Sequence, residues 1–296
     1  MAGAMPRQDL VTSEQMEKLM KFATFLLSLV CTLGAAQAAH AAEVKLWRLD
    51  CGTIKIKDLN AFSDTYQYTG KQRTLTDSCY VIQHDKDYMV WDTGLPAGLL
   101  NAPLDEAAPM QPTLAATVPQ QLEKIGLKPE AVSIVGVSHY HFDHIGQAAD
   151  FPKAKLMMGK LDLDAMKSDP LPFGAVPDLL KPWLKEGGTV EAVSGDKDIF
   201  GDGSVTMLTM PGHTPGSYAL LVKLAKTGPV LLSGDIVHFE EQFKNDGVPP
   251  FNTDRAQSLA SIDRLARMGK SLKATLVVQH DANDIKKLPI FPKAAE

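Results

Sequence analysis

The segment His139-Tyr140-His141-Phe142-Asp143-His144 places three imidazoles and a carboxylate within six consecutive residues, directly after the apolar run Val132 to Val137. A short apolar, β-branched run of this kind predicts a buried strand, so the four donors leave on the loop at its end, where a rigid sheet can aim them. Imidazole and carboxylate suit zinc(II), iron(II), cobalt(II) or manganese(II) better than soft metals or calcium. One catalytic zinc normally takes three protein ligands, so four donors this close predict two metals. The chain has only eight histidines. Three coincide here, and His213 and His280 each follow another apolar, strand-like run. His40 falls in an N-terminal leader and His84 in a hairpin turn, which leaves His238 as an open question.

The hexapeptide resembles the H-x-H-x-D-H signature of the metallo-β-lactamase superfamily, and further segments similar to that family come after it and before it in the expected order. Trp91-Asp92-Thr93-Gly94 resembles its early Asp-Thr-Gly turn, and Pro211-Gly212-His213-Thr214-Pro215-Gly216 its third-histidine turn. Ser233-Gly234-Asp235 resembles its bridging-aspartate segment, and Gln279-His280-Asp281 its last ligand. The resemblance runs from about Val44 to the C-terminus. Phe142 inside the signature, the compact single domain and the terminal Gln-His-Asp most resemble the N-acyl-homoserine lactonase branch.

That resemblance implies an α/β fold, a four-layer αββα sandwich, with the site in the cleft between two sheets. It implies that His139, His141 and His213 hold one metal, that Asp143, His144 and His280 hold a second, and that Asp235 bridges them. The expected ions are two divalent metals, zinc first, with iron(II), cobalt(II) or manganese(II) as alternatives. A water shared by two such ions becomes a hydroxide nucleophile near neutral pH, which implies opening of the lactone ring of N-acyl-homoserine lactones, hence quorum quenching. Asp143 would shuttle a proton to the leaving oxygen. Asp92 is expected behind the ligands, fixing an imidazole. In the best-known lactonases the position three after the bridging aspartate is a tyrosine whose hydroxyl contacts the substrate carbonyl; here it is His238. Imidazole also donates a hydrogen bond, so His238 is a candidate catalytic residue, with a packed loop histidine as the alternative.

Rival activities on the same two-metal site are a β-lactamase and a phosphoester or phosphotriester hydrolase. The histidine-rich β-lactamases with a related signature typically lack the aspartate found here as Asp235, which favours esters. A thioesterase like glyoxalase II would carry a helical domain after the last ligand, and little chain remains beyond His280. A non-catalytic metal-containing binding protein is a further alternative.

Composition narrows the partners. The 296 residues are 45% hydrophobic and 22% charged, as in soluble globular proteins, and the net charge of −5 with no basic, aromatic-interleaved run argues against nucleic acid. The expected partner is a small-molecule acyl lactone; a homodimer is left open. Lys18 and Lys21 precede an apolar run from Phe22 to Gly34, then small residues with Ala39-His40-Ala41 fitting a cleavage site. This predicts a signal peptide over 1–42, a single metallo-hydrolase domain over 43–296, and a periplasmic or secreted location. The apolar run is shorter than the roughly 20 residues a spanning helix needs, so no stable membrane anchor is expected once the signal is removed. Residues 1–15 lack signal character, which points to Met16 or Met20 as the true start. Export would leave Cys51 and Cys79, either bridged or as free buried thiols.

Periodicity predicts strands at Lys45–Leu49, Ser78–Gln83, Tyr88–Trp91, Lys155–Met158, Val205–Met210, Tyr218–Leu224, Val230–Leu232 and Ala274–Val278. Helices are expected over Thr113–Gly126 and Leu161–Met166, and after Thr253 or Asp254 with an apolar face of Leu259, Ile262, Leu265 and Ala266. Loops at 60–76, 97–112, 170–182 and 240–252 are expected at the rim of the site. Their residues Phe62, Tyr66, Tyr68, Met110, Phe173, Trp183, Phe243 and Phe251 are candidates to line an acyl groove, with loop anchoring or dimer contact as the alternative.

Overall fold

The computed structural model describes residues 12–18 and 42–296. The apolar run and cleavage site of the leader lie outside the described residues. The chain divides between Ala41 and Ala42 into two units. In the first, residues 13–18 are helical, and Lys18 faces Glu14 one turn earlier at 3.7 Å. Among the described residues no helix is long and apolar enough to cross a membrane. The second unit, residues 42–296, carries every candidate metal ligand.

Two strands much longer than their apolar runs open this unit. β1 (Val44–Ile56) and β2 (Arg73–His84) pair antiparallel along almost their whole length, with a bulge between Asp50 and Gly52. The sequence predicts the first strand only to Leu49 and places Arg73–Thr76 in the expected loop 60–76; pairing with β4 (Met110–Thr113) beyond β1 extends the sheet there. The bulge carries Cys51, which forms a disulfide with Cys79 of β2. β3 (Asp87–Trp91) returns from a tight turn, and β5 (Val132–Gly136), β6 (Lys155–Gly159) and β7 (Val190–Val193) add in parallel, giving a seven-stranded sheet ordered β4-β1-β2-β3-β5-β6-β7. β8 (Lys197–Asp198), β9 (Val205–Thr209), β10 (Tyr218–Leu224), β11 (Gly228–Leu232) and β12 (Thr275–Val277) form a second sheet ordered β12-β11-β10-β9-β8. The strands β4 and β8 carry too few apolar residues to announce themselves, and β7 spans only four residues.

The layers arise from which face each strand makes apolar. Leu46, Tyr80, Ile82, Met89 and Trp91 of the first sheet meet Met207, Leu220, Val222, Val230 and Leu232 of the second in one buried cluster. The outer face of the first sheet, with Val81, Val90, Val135 and Leu156, is covered by α1 (Val118–Glu123), α3 (Lys160–Ala165) and α4 (Lys181–Leu184). The outer face of the second, with Leu208, Leu221 and Leu231, receives Phe243 of the one-turn helix α5 (Gln242–Asn245) and Ile262 and Leu265 of α6 (Arg255–Leu272). Two sheets face to face between helices make the expected αββα sandwich.

The first helix is shorter than its apolar spacing suggests. Thr117 caps it through a capping box with Gln120, and Leu114 instead bridges to Leu100 outside it. A capping box placed after the first apolar residue fixes the start there. Of the two caps the sequence offers for α6, Thr253 and Asp254, the N-cap is Asp254, whose side chain accepts from Gln257 N.

Candidate metal centre

Every donor of the sequence motif sits at a strand end or in the turn after it. The Val137 N–H donates to Met157 O and Ser138 N donates to Asp92 Oδ1 at 2.7 Å, so the chain leaves β5 already held before it reaches His139. His141 then starts the one-turn helix α2 (Phe142–Ile145) without using its side chain as a cap, which frees its imidazole. Gly174, at φ +75°, lies so close over His141 that a Cβ there would come within 2.3 Å of the ring. His213 comes from the turn between β9 and β10, Asp235 follows β11, and His280 follows β12.

The seven side chains converge in two groups. His139, His141, His213 and Asp235 bring ligand atoms within 4.8 Å of one another, and so do Asp143, His144 and His280. All are buried. His213 Nε2 lies 3.1 Å from His139 Nε2 and 3.0 Å from His141 Nδ1. In the second group His144 Nε2 and His280 Nε2 are 3.4 Å apart, each 3.9 Å from Asp143 Oδ2. Asp235 spans the two groups. Its Oδ2 faces His139 at 3.7 Å and His213 at 3.4 Å, and its Oδ1 faces His144 at 3.2 Å and His280 at 3.0 Å.

The outer nitrogens show what the inner ones present. His144 Nδ1 meets Asp92 Oδ2 at 2.9 Å, His213 Nδ1 meets Asn252 Oδ1 at 2.8 Å, and His280 Nδ1 meets the Thr76 carbonyl at 2.6 Å. Each outer partner accepts, so each of these rings carries a proton on Nδ1 and turns Nε2 toward the centre. In the first group the inward lone pairs of neutral rings face one another within hydrogen-bond distance and repel, and Asp235 Oδ1 is buried without a hydrogen-bond partner. A donor set of inward lone pairs and an orphaned carboxylate oxygen fits divalent cations.

The local field agrees. Burial, with the neighbouring His144 and His213 rings, pushes His139 well below the usual imidazole range, and burial brings His141 down to about 4. Burial also opposes charge on His280, yet Asp235 and Asp143 lift it to about 9. Burial alone would raise Asp235; the surrounding imidazoles overcome it and hold the carboxyl well below its usual range. The first group thus offers neutral nitrogens, and the second lies in a field that attracts positive charge.

His238 is buried beside both groups. Its Nε2 lies 3.1 Å from Asp235 Oδ2, its ring lies nearly parallel to that of His280, and its Nδ1 has no hydrogen-bond partner. A cavity of about 170 Å³ opens over His141, Asp143, Asp235, His238 and His280, walled by Ile54, Phe62, Leu75, Met110, Phe142, Phe173 and Phe251. Of the eight candidate groove residues, Phe62, Met110, Phe173 and Phe251 line it. The other four lie elsewhere. Trp183 is buried under the first sheet with its indole N–H on Ala154 O, Tyr68 packs edge-on to Phe239, Phe243 packs with the core beneath α6, and Tyr66 points to solvent. Aromatic character alone does not tell an anchoring ring from a lining one.

Several supporting residues carry no sequence signal. Ser138, Asn252 and Asp162 resemble ordinary polar residues until folding buries Ser138 and Asp162 and half-buries Asn252 against the ligand turns. Asp77 is fully buried without a hydrogen-bond partner, and burial, then the Asp143 charge, raises its carboxyl well above the usual range.

Residues 74–280 match the Metallo-beta-lactamase superfamily profile, and the chain belongs to that superfamily. Among its relatives, the N-acyl homoserine lactonase AttM of Azorhizobium caulinodans is 27% identical over 262 residues, spanning 85% of this chain and 97% of that one. A solved N-acyl homoserine lactone hydrolase with the product N-hexanoyl-L-homoserine at its catalytic metal center shares the fold at TM-score 0.72 and 23% identity, covering 86% of this chain and 100% of that one. AidC, a dizinc quorum-quenching lactonase, shares it at TM-score 0.62 and 17% identity, over 86% and 91%.

Proposed function

We propose that this chain is a dinuclear metal-dependent hydrolase that opens the lactone ring of N-acyl-homoserine lactones. The observation that carries the reading is Asp235, whose two oxygens face two separate donor groups at the floor of an apolar cavity. The lactonases among its relatives support the choice of substrate.

His139, His141, His213 and Asp235 would hold one ion, and Asp143, His144, His280 and Asp235 the other; zinc suits both sets. Divalent ions bound there acidify water and polarise an ester carbonyl. The chain's own residues do the rest. Phe62, Phe142, Phe173 and Phe251 take the acyl chain and shield the reacting carbonyl from bulk water. Asp143 is the ligand carboxylate that also borders the cavity; it takes onto Oδ the proton released by the attacking water and passes it to the departing alkoxide oxygen. The His238 ring, now against Asp235, supplies a donor to the carbonyl oxygen as negative charge develops on it. The leader's composition and the Cys51–Cys79 bond support export to the periplasm or medium.

The test is acid release from short- and long-chain acyl-homoserine lactones, monitored by pH-stat, before and after chelation and metal restoration. Chelator-sensitive ring opening is expected. A metal-replete protein that releases no acid overturns the substrate reading.

A further inference from the structure

We propose that Asp162 is a positioning residue that locks together the two turns bearing His139, His141 and His213, and so sets the geometry of the first donor group and not the second. Asp162 lies on α3, outside every motif of the family resemblance, and its side chain is fully buried. Both of its oxygens are spent on the ligand turns. Oδ2 accepts from the backbone N–H of Tyr140, between His139 and His141, at 3.2 Å, and from Thr214 Oγ1, next to His213, at 2.8 Å. Oδ1 accepts from Gly216 N at 2.6 Å. One carboxylate therefore joins a turn from the first sheet to a turn from the second, two segments that share no strand pairing.

The surroundings leave no slack. A Cβ on Gly216 would come within 2.6 Å of Asp162 N, and one on Gly159 within 2.1 Å of Gly216 O. The second group is held by other means. Asp92 binds His144 and Ser138 N, and Gln279 Nε2 donates to Asp92 at 3.1 Å. Asp92 thus serves the second group and, through Ser138 N, the start of the hexapeptide, whereas Asp162 touches only the turns of the first. Asp162→Asn is not conservative here, because an amide NH2 would turn a donor toward the donors it must accept from.

This inference rests on the ligand assignment proposed above, and its test keeps the two apart. Wild type, Asp162→Asn, Thr214→Val and His141→Ala are loaded with cobalt(II) at mildly alkaline pH and dialysed against graded chelator. Bound cobalt, the visible spectrum, and thermal unfolding of the metal-free proteins are recorded. Wild type is expected to hold two ions. Asp162→Asn should release one of them about 10- to 100-fold more readily, with a changed spectrum for that ion, and keep the other. Thr214→Val, which removes a single donor, should weaken the same ion by a smaller factor while melting like wild type without metal; it decides the matter if Asp162→Asn does not fold. Unchanged retention of both ions in Thr214→Val and in folded Asp162→Asn, or equal loss of both, overturns the role of Asp162. A cobalt content that His141→Ala leaves at the wild-type level overturns the ligand assignment itself.

Discussion

His144 meets Asp92 Oδ2 through Nδ1 at 2.9 Å while its Nε2 faces Asp235 Oδ1 at 3.2 Å, so a single ring couples a carboxylate behind the centre to the carboxylate that spans it. Asp92 also accepts from Ser138 N and from Gln279, which joins the start of the hexapeptide to the last ligand turn. Asp92→Asn is therefore expected to weaken metal held by Asp143, His144 and His280 by about 10- to 100-fold, and the other ion by a smaller factor through the lost Ser138 N bond. Chelator competition measures this, and unchanged affinity for both ions would refute it.

The Cys51–Cys79 bond closes a 28-residue separation across the β1–β2 pair. Chain-entropy reasoning assigns such a loop about 3–4 kcal/mol of stability, through restriction of the unfolded chain. The double variant Cys51→Ala/Cys79→Ala should lose that much in denaturant unfolding. An unshifted midpoint would show that the bond contributes nothing to the fold.

Burial pushes the Asp162 carboxyl from its ordinary 3.8 up to about 7, against three hydrogen bonds that pull it down. A folded-state value above the unfolded one means that the folded protein binds the proton more tightly. The stabilising contribution is full below 3.8 and is lost as pH rises through about 7. The unfolding free energy of metal-free wild type, relative to Asp162→Asn, should therefore fall across that interval. A difference that stays flat from acid to neutral pH would contradict it.

Phe173 and Phe251 stand 5.5 Å apart, centroid to centroid, over the His141 side of the cavity. Phe173 is 65% exposed, so its ring has apolar area left to cover. Partial burial by an acyl chain is worth about 1 kcal/mol, short of the roughly 1.5–3 kcal/mol of complete burial. Phe173→Ala should raise KM about fivefold for long-chain lactones and leave short-chain KM and kcat near wild type. An equal effect on all chain lengths would place the acyl group elsewhere.

The hexapeptide donors were legible because metal chemistry restricts them to few residue types and because an apolar strand announces where its loop begins. The αββα sandwich and the division of the seven ligands came with the family resemblance; Tyr218–Leu224 and Val230–Leu232 by themselves predict only buried strands. The polar halves of β1 and β2 were not legible, because their place in the sheet is decided by pairing partners rather than by their own side chains. Asp162 and Asn252 were hidden for a related reason. A buried hydrogen bond between segments far apart in sequence leaves no local periodicity. Trp183 misled because a large ring anchors a core as readily as it lines a groove.

His139, His141, Asp143 and His144 come after a strand of the first sheet, whereas His213, Asp235 and His280 come after strands of the second. Any ion shared between them acts as a cross-brace spanning the two halves of the sandwich. An ion that binds only the folded chain, at about a thousand times its dissociation constant, adds about 4 kcal/mol to folding. Metal supply would then govern how long the folded sandwich persists, and scarcity would shorten that lifetime by raising the unfolded fraction.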